Sequence, residues 1–279
     1  MNSKKIIGII ALIRPPNLLI VFLTISAAAV LAGATIDDWI LVSLASLAGA
    51  VIGGGGNAIN DFFDAEIDAI NRPNRPLPRG DVTKQEAWWV WRLASSAGVL
   101  LSAYVGPLPF AIALFWIVSL YFYSRVLKRK VLIGNLAVGV VTALAFVYGA
   151  LSVGGFERSL IPAFFAFLVN LARELVKDVQ DIEGDRRGGA RTLPVVYGVK
   201  PALGLATLVI VLLIMSTVVP YANGTYNVHY LVLVGVADLA LTYVAVSLWR
   251  SRLPHRLERL SLVLKFTMVL GLAAIYIGS

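Results

Sequence analysis

Long apolar runs separated by short polar connections make up nearly the whole chain. A crossing helix needs about 20 mostly apolar residues, and on that criterion nine segments can be marked. They run from about Asn17 to Thr35, Trp39 to Phe62, Ala87 to Val105, Pro109 to Tyr123, Val131 to Val153, Leu160 to Val176, Pro201 to Tyr221, Val228 to Trp249 and Leu260 to Ile277. Of the 24 Lys and Arg residues, all but Arg158 fall at the N-terminus, in connections after even-numbered segments, or in adjoining helix ends. Basic connections stay in the cytoplasm, so the alternation places the N-terminus inside and the C-terminus outside. The pattern predicts an all-α polytopic membrane protein, one domain over residues 1–279 with nine transmembrane helices and only short outer connections.

Composition agrees with that class. The chain is 58% apolar and only 14% charged, whereas a soluble domain carries about 25% charged residues. The net charge of +8 follows from cytoplasmic basic loops and calls for no nucleic acid. Cysteine is absent, which excludes disulfides and thiolate metal sites. His229 and His255 are too few and too far apart for a histidine-based metal site. Lys4 and Lys5 before an apolar stretch imitate a signal peptide, but Arg14, Pro15 and Pro16 interrupt it and a retained first helix is expected.

Against this background the carboxylates stand out. Asp61, Asp64 and Asp68 follow the second segment at spacings i, i+3 and i+7, which on a helix form one stripe. Asp178, Asp181 and Asp185 repeat the spacing at the end of the sixth segment. Carboxylates near hydrocarbon each cost about 2.5–3.5 kcal/mol on insertion scales, so cations should accompany them. Arg72, Arg75 and Arg79 follow the first triad; Arg173 and Lys177 precede the second, and Arg186, Arg187 and Arg191 follow it. Both triads fall on the cytoplasmic side, and the frame is expected to bring them face to face.

Hard oxygen ligands with almost no nitrogen or sulfur favour Mg2+, and Mg2+ is usually shared between one or two carboxylates and phosphate oxygens. Arginine forks suit phosphate as well. A diphosphate held at the mouth of a membrane bundle should belong to a molecule with an apolar tail, and a prenyl diphosphate fits.

The residues also carry a family resemblance. Arg14-Pro-Pro-Asn17, Asn60-Asp61-x-x-Asp64-x-x-x-Asp68, Asn71-Arg-Pro-Asn-Arg-Pro, Leu127-Lys128, Gly134-Asn135 and Asp178-x-x-Asp181-x-x-x-Asp185 resemble the UbiA superfamily of intramembrane prenyltransferases. That resemblance implies a nine-helix bundle in which two Asp-rich motifs hold Mg2+ and the prenyl diphosphate. Its metal set would be Asn60, Asp61, Asp64, Asp68, Asp178, Asp181 and Asp185, with Asp64, Asp68, Asp181 and Asp185 as the catalytic carboxylates. Arg14, Asn17, Arg72, Arg75, Tyr123, Lys128, Asn135, Lys177 and Arg191 become substrate-binding candidates. The run from Asn60 to Pro78, with Arg173 to Asp178 and Glu183 to Pro194, is most similar to the archaeal digeranylgeranylglyceryl phosphate synthases. The implied reaction joins geranylgeranyl diphosphate to the secondary hydroxyl of geranylgeranylglyceryl phosphate, a lipid-phosphate acceptor that Lys128, Arg129 and Lys130 are candidates to bind. An aromatic acceptor such as 4-hydroxybenzoate is the alternative within the superfamily, and an ion-coupled transporter the alternative outside it. No obligate protein partner is implied.

Three features stand apart from the motifs. Gly53 to Gly56 read as close helix packing, since no strand precedes them. Trp116, Tyr121 and Tyr123 suit an interfacial belt or a prenyl tunnel lining. Asp238, alone inside the eighth segment, is a functional suspect with no partner evident.

Overall fold

The computed structural model describes residues 3–250 and 253–279, with the side chains of Ile70, Asn71 and Pro254 outside that description. The side chain of Asn71 in the Asn-Arg-Pro run and the basic Arg252 therefore lie outside the described residues. Among the described residues every regular element is helical, and the chain divides into two units, Met1–Leu127 with Leu144–Ser159 and Lys128–Ala143 with Leu160–Ser279.

The first unit is built on five helices, α1 (Ser3–Ile13), α2 (Pro15–Leu31), α3 (Trp39–Asn71), α4 (Lys84–Val105) and α5 (Pro107–Arg125), together with the last residues of α6 (Ile133–Leu151). Helix α3 is its centre, packed by α1, α2, α4 and α5. The glycine run makes this possible. A Cβ on Gly54 would stand 3.3 Å from Leu18 of α2, on Gly55 3.2 Å from Ala94 of α4, and on Gly56 2.9 Å from Leu120 of α5. Close packing is thus what these glycines do, as their place in a span predicts. At 33 residues and about 1.5 Å per residue, α3 is longer than the roughly 30 Å hydrocarbon layer. Its last turns, which carry Asp61 to Asp68, reach beyond the apolar body of the helix. The helix stops before Pro73, because the residue preceding a proline is steered out of helical geometry; Arg72 sits at φ −144°, ψ 60°.

Helix α4 begins three residues earlier than its apolar pattern indicates. Thr83 and Glu86 form a reciprocal capping box, Glu86 N–H donating to Thr83 Oγ1 at 3.2 Å and Thr83 N–H to Glu86 Oε2 at 3.0 Å, which satisfies two otherwise open donors. Glu86 also pairs with Lys5 of α1.

The second unit takes the first part of α6 with α7 (Leu160–Gln180), α8 (Ile182–Arg187), α9 (Leu193–Tyr197), α10 (Val199–Thr217), α11 (Val219–Ala222), α12 (Val228–Arg250) and α13 (Pro254–Gly278). Leu168, Ala172, Leu175, Val176 and Val179 recur at helical spacing on α7 and are buried against Leu203, Ile210, Leu248 and Leu264 of α10, α12 and α13. Asp238 acquires the partner its sequence context did not reveal: Thr217 Oγ1 donates to its Oδ2 at 2.9 Å, and Tyr230 Oη donates to the Thr217 carbonyl at 2.7 Å. This polar clasp fastens the end of α10 to α12.

Each of the nine predicted segments coincides with a helix, but nine crossings do not follow. Among the described residues seven helices are long and apolar enough to cross a membrane, or eight if α1 and α2, bent by 42° at Arg14, count as one span. Helix α4 is not among them, because Lys84, Glu86, Arg92 and its serines make it less apolar than the other long helices. Several long apolar helices make this a multi-pass membrane protein.

Close approach has one point of least tolerance in the first unit. The Cβ of a side chain on Gly149 would lie 2.3 Å from the Ile25 carbonyl oxygen of α2, and backbone cannot yield as a flexible side chain does. Gly149→Ala is therefore expected to lower stability by about 1–3 kcal/mol, read as an earlier thermal unfolding midpoint in detergent; an unchanged midpoint would contradict this packing.

Candidate active site

In the first unit the predicted stripe forms as expected. Asn60, Asp61, Asp64 and Asp68 all lie on continuous α3, with Asp61 and Asp68 only 2% and 5% exposed. Carboxylates so buried need compensation, and arginines supply it from two directions. Arg14, between α1 and α2, pairs with Asp61; Arg75 reaches back from the proline-rich connection to pair with Asp68 and, at 3.2 Å, with Asp61. Prolines at positions 73, 76 and 78 deny that connection a helix, and successive turns, Arg72 O to Arg75 N and Arg75 O to Arg79 N at 3.0 Å each, bring Arg75 home. Asp64 is half-buried and accepts a bond from Asn60 Nδ2 at 3.1 Å. Arg72 is exposed, with its charge near Arg14.

Arg14 has an unusual backbone, with φ 57° and ψ 72°. A residue with a side chain pays about 1–2 kcal/mol to be left-handed, so something must hold it. Asn57, one turn before Asp61, is the holder that the sequence reading did not single out. Its Nδ2 donates to the Ile13 carbonyl at 2.9 Å and its Oδ1 accepts from Arg14 Nη1 at 3.3 Å. Its position four residues before an aspartate of the motif was the available signal. Asn17 contributes through its backbone N–H, which donates to the Arg14 carbonyl at 2.8 Å, while its side chain is exposed.

Beside this stripe Phe62, Phe63, Trp88, Trp91, Tyr121 and Phe122 form an aromatic cluster centred on Tyr121, whose ring stacks on Trp91 at 5.5 Å. Tyr123 is half-buried on α5, and Trp116 is buried against Tyr148 at 4.8 Å.

The second triad spans a one-residue interruption between two helices. Helix α7 ends at Gln180, Asp181 stands at the junction, and Asp185 belongs to α8. The interruption is local: Asp181 has φ −95° and ψ 7°, while the Asp181 N–H donates to the Lys177 carbonyl and the Asp185 N–H to the Asp181 carbonyl, each at 2.9 Å, so helical bonds continue across it. Asp178 accepts from Asn135 Nδ2 at 2.8 Å, so Asn135, itself buried, serves a motif carboxylate. Lys177 is held by Glu174, Nζ donating at 2.9 and 3.1 Å, and Arg173 joins the same carboxylate at 3.2 Å. Glu174 is buried and was also missed, although it precedes Asp178 by one helical turn.

Asp185 accepts from Thr192 Oγ1 at 3.0 Å. Burial pushes its carboxyl above the ordinary carboxylate range; the Thr192 hydroxyl opposes this, the charge of Asp181 adds to it, and Lys128 opposes it. Arg191 has an exposed side chain, but its N–H donates to the Arg129 carbonyl at 2.8 Å, tying the segment before α9 to the basic turn Leu127–Arg129.

Among the described residues no group of three or more carboxylates or histidines converges into a closed metal cage. The donor chemistry nevertheless fits Mg2+: each set offers carboxylate and amide oxygen without thiolate or imidazole, and this ion commonly takes only one or two carboxylates. Asp64 with Asn60, and Asp178 with Asp181, are the groups that could hold it.

Comparison with known proteins agrees with this chemistry. Residues 21–271 match the UbiA prenyltransferase family. The digeranylgeranylglyceryl phosphate synthase of Methanosphaera stadtmanae is 32% identical over 271 residues, 97% of this chain and 98% of that one. A solved structure of a digeranylgeranylglyceryl phosphate synthase superposes with a TM-score of 0.83 at 29% identity, over 99% of both chains. A UbiA homologue from Archaeoglobus fulgidus bound to DMAPP and Mg2+ shares the fold, with a TM-score of 0.70 at 20% identity over 97% of this chain and 99% of that one. The chain belongs to the UbiA prenyltransferase family and is a membrane prenyltransferase.

Proposed function

We propose that the chain transfers a geranylgeranyl group from geranylgeranyl diphosphate to the secondary hydroxyl of geranylgeranylglyceryl phosphate, with Mg2+ as cofactor, at the cytoplasmic side of the cell membrane. The observation that carries this reading is the pairing of Arg14 and Arg75 with Asp61 and Asp68 while Asp64 lies on the same stripe. Carboxylates for a cation and guanidinium groups for phosphate oxygens are thereby presented together. The relative from Methanosphaera stadtmanae supports the acceptor, and the DMAPP and Mg2+ of the Archaeoglobus fulgidus homologue support the donor class and the ion.

In the reaction, the allylic C–O bond breaks and its electron pair leaves with the diphosphate. The acceptor hydroxyl oxygen then bonds to the allylic carbon, and its proton passes to a motif carboxylate, the diphosphate or water. Bound Mg2+ would supply Lewis-acid stabilisation of the charge on the leaving group. Asn60, Asp61, Asp64 and Asp68 are the groups assigned to hold it in the first unit, and Asp178, Asp181 and Asp185 are the groups assigned to a metal in the second, each set by itself. Arg14, Arg72 and Arg75 of the first unit would orient the diphosphate, with preorganised positive charge favouring its departure, and Lys177 is the cation that accompanies the acids of the second unit. The basic turn with Lys128, tied to the Arg191 segment, suits the acceptor phosphate, and the aromatic cluster around Tyr121 offers an apolar wall that keeps water from a carbocation.

Asp64→Ala and Asp181→Ala are each expected to lower turnover by about a hundredfold or more while the protein stays folded in detergent; near-normal turnover in either would refute the metal assignment. For Arg75→Ala, the apparent KM for prenyl diphosphate should rise about tenfold, and an unchanged KM would leave Arg75 a charge partner only. Purified protein given labelled geranylgeranyl diphosphate should pass label to geranylgeranylglyceryl phosphate and stop when Mg2+ is chelated. Label appearing only in 4-hydroxybenzoate offered in parallel would overturn the acceptor.

A further inference from the structure

Arg14 occupies a backbone conformation that glycine adopts without strain, at the C-terminus of a helix where glycine is the common choice. An arginine there is explained by its side chain. Its two terminal nitrogens are divided between residues one turn apart on α3: Nη1 donates to Asn57 Oδ1 at 3.3 Å and Nη2 pairs with Asp61. The other end of the Asn57 amide donates to the Ile13 carbonyl at 2.9 Å, an acceptor at the end of α1 that lacks an intrahelical partner. One amide therefore fixes both the left-handed hinge and the fork of the guanidinium it carries.

We propose that Asn57 is a positioning residue for prenyl transfer, acting through Arg14 and touching neither substrate nor metal. This rests on the reading of Arg14 as a diphosphate-orienting group. Without Asn57, Arg14 keeps its charge but loses the second point that sets its direction. A guanidinium held at two points stays aimed, whereas one held only by Asp61 can fold down onto that carboxylate. The effect belongs in the binding of the diphosphate and much less in the chemical step.

The test is a double-mutant cycle on purified protein in detergent, with thermal unfolding recorded for every variant. Asn57→Ala should raise KM for prenyl diphosphate about tenfold with kcat little changed. Arg14→Ala should raise it at least as much, and Asn57→Ala in the Arg14→Ala background should add nothing. Additive effects would overturn the proposal, because Asn57 would then act by another route. So would a wild-type KM for Asn57→Ala beside a raised KM for Arg14→Ala, an outcome that leaves the function of Arg14 intact. A wild-type KM for Arg14→Ala would overturn both readings. Two further variants keep the question open to refutation if Asn57→Ala does not fold. Arg14→Lys preserves the charge without the fork and should reproduce the raised KM. Arg14→Gly preserves the hinge without the side chain, so a normal KM there would show that hinge geometry alone matters.

Discussion

Negative charge at the edge of hydrocarbon must be neutralised locally, and the rest of the first unit is arranged around that requirement. Asp61 and Asp68 are almost fully buried at the end of a membrane helix. Breaking such a pair by removing one partner typically costs about 3–5 kcal/mol, so the two arginines are structural necessities before they are functional ones. They come from opposite directions in sequence, Arg14 from before the helix and Arg75 from after it. The kinked junction of α1 and α2 and the proline-rich connection are both shaped to deliver them. In the proposed reaction the groups that stabilise the fold with the substrate absent would also receive its phosphates.

The second unit meets the same requirement differently. It uses neutral donors, Asn135 on Asp178 and Thr192 on Asp185, with ion pairs beside them at Glu174 with Lys177 and Arg173 and at Glu183 with Arg187. An amide or hydroxyl stabilises a carboxylate without cancelling its charge, so these acids retain more of their pull on a cation. The two sets share a spacing in sequence but have unlike surroundings.

Much of this was legible in the chain. Apolar runs located the helices, and the i, i+3, i+7 spacing located the stripe on α3, because both depend on periodicity that a helix converts directly into geometry. Arg75 was legible for the same reason that acids in hydrocarbon need cations. What periodicity cannot show is a local change of backbone geometry, so the interruption at Asp181 was not visible. Asn57, Glu174 and Thr192 escaped because their importance lies in one or two hydrogen-bonded partners each, and nothing in composition or spacing distinguishes an amide that holds an arginine from one that faces water. Helix α4 stands where its apolar run predicted a helix, although its charged residues and serines leave it less apolar than the other long helices.

The glycine run of α3 has a mechanical side. Four adjacent residues without side chains leave that turn the least stiff part of a 33-residue rod, and the carboxylate stripe begins immediately beyond it. The angle at which the stripe is presented is therefore set by the helices pressed against that turn more than by the rod itself. Leu18, Ala94 and Leu120, which press on the glycines from three different helices, are thus the nearest outside supports of the carboxylate end.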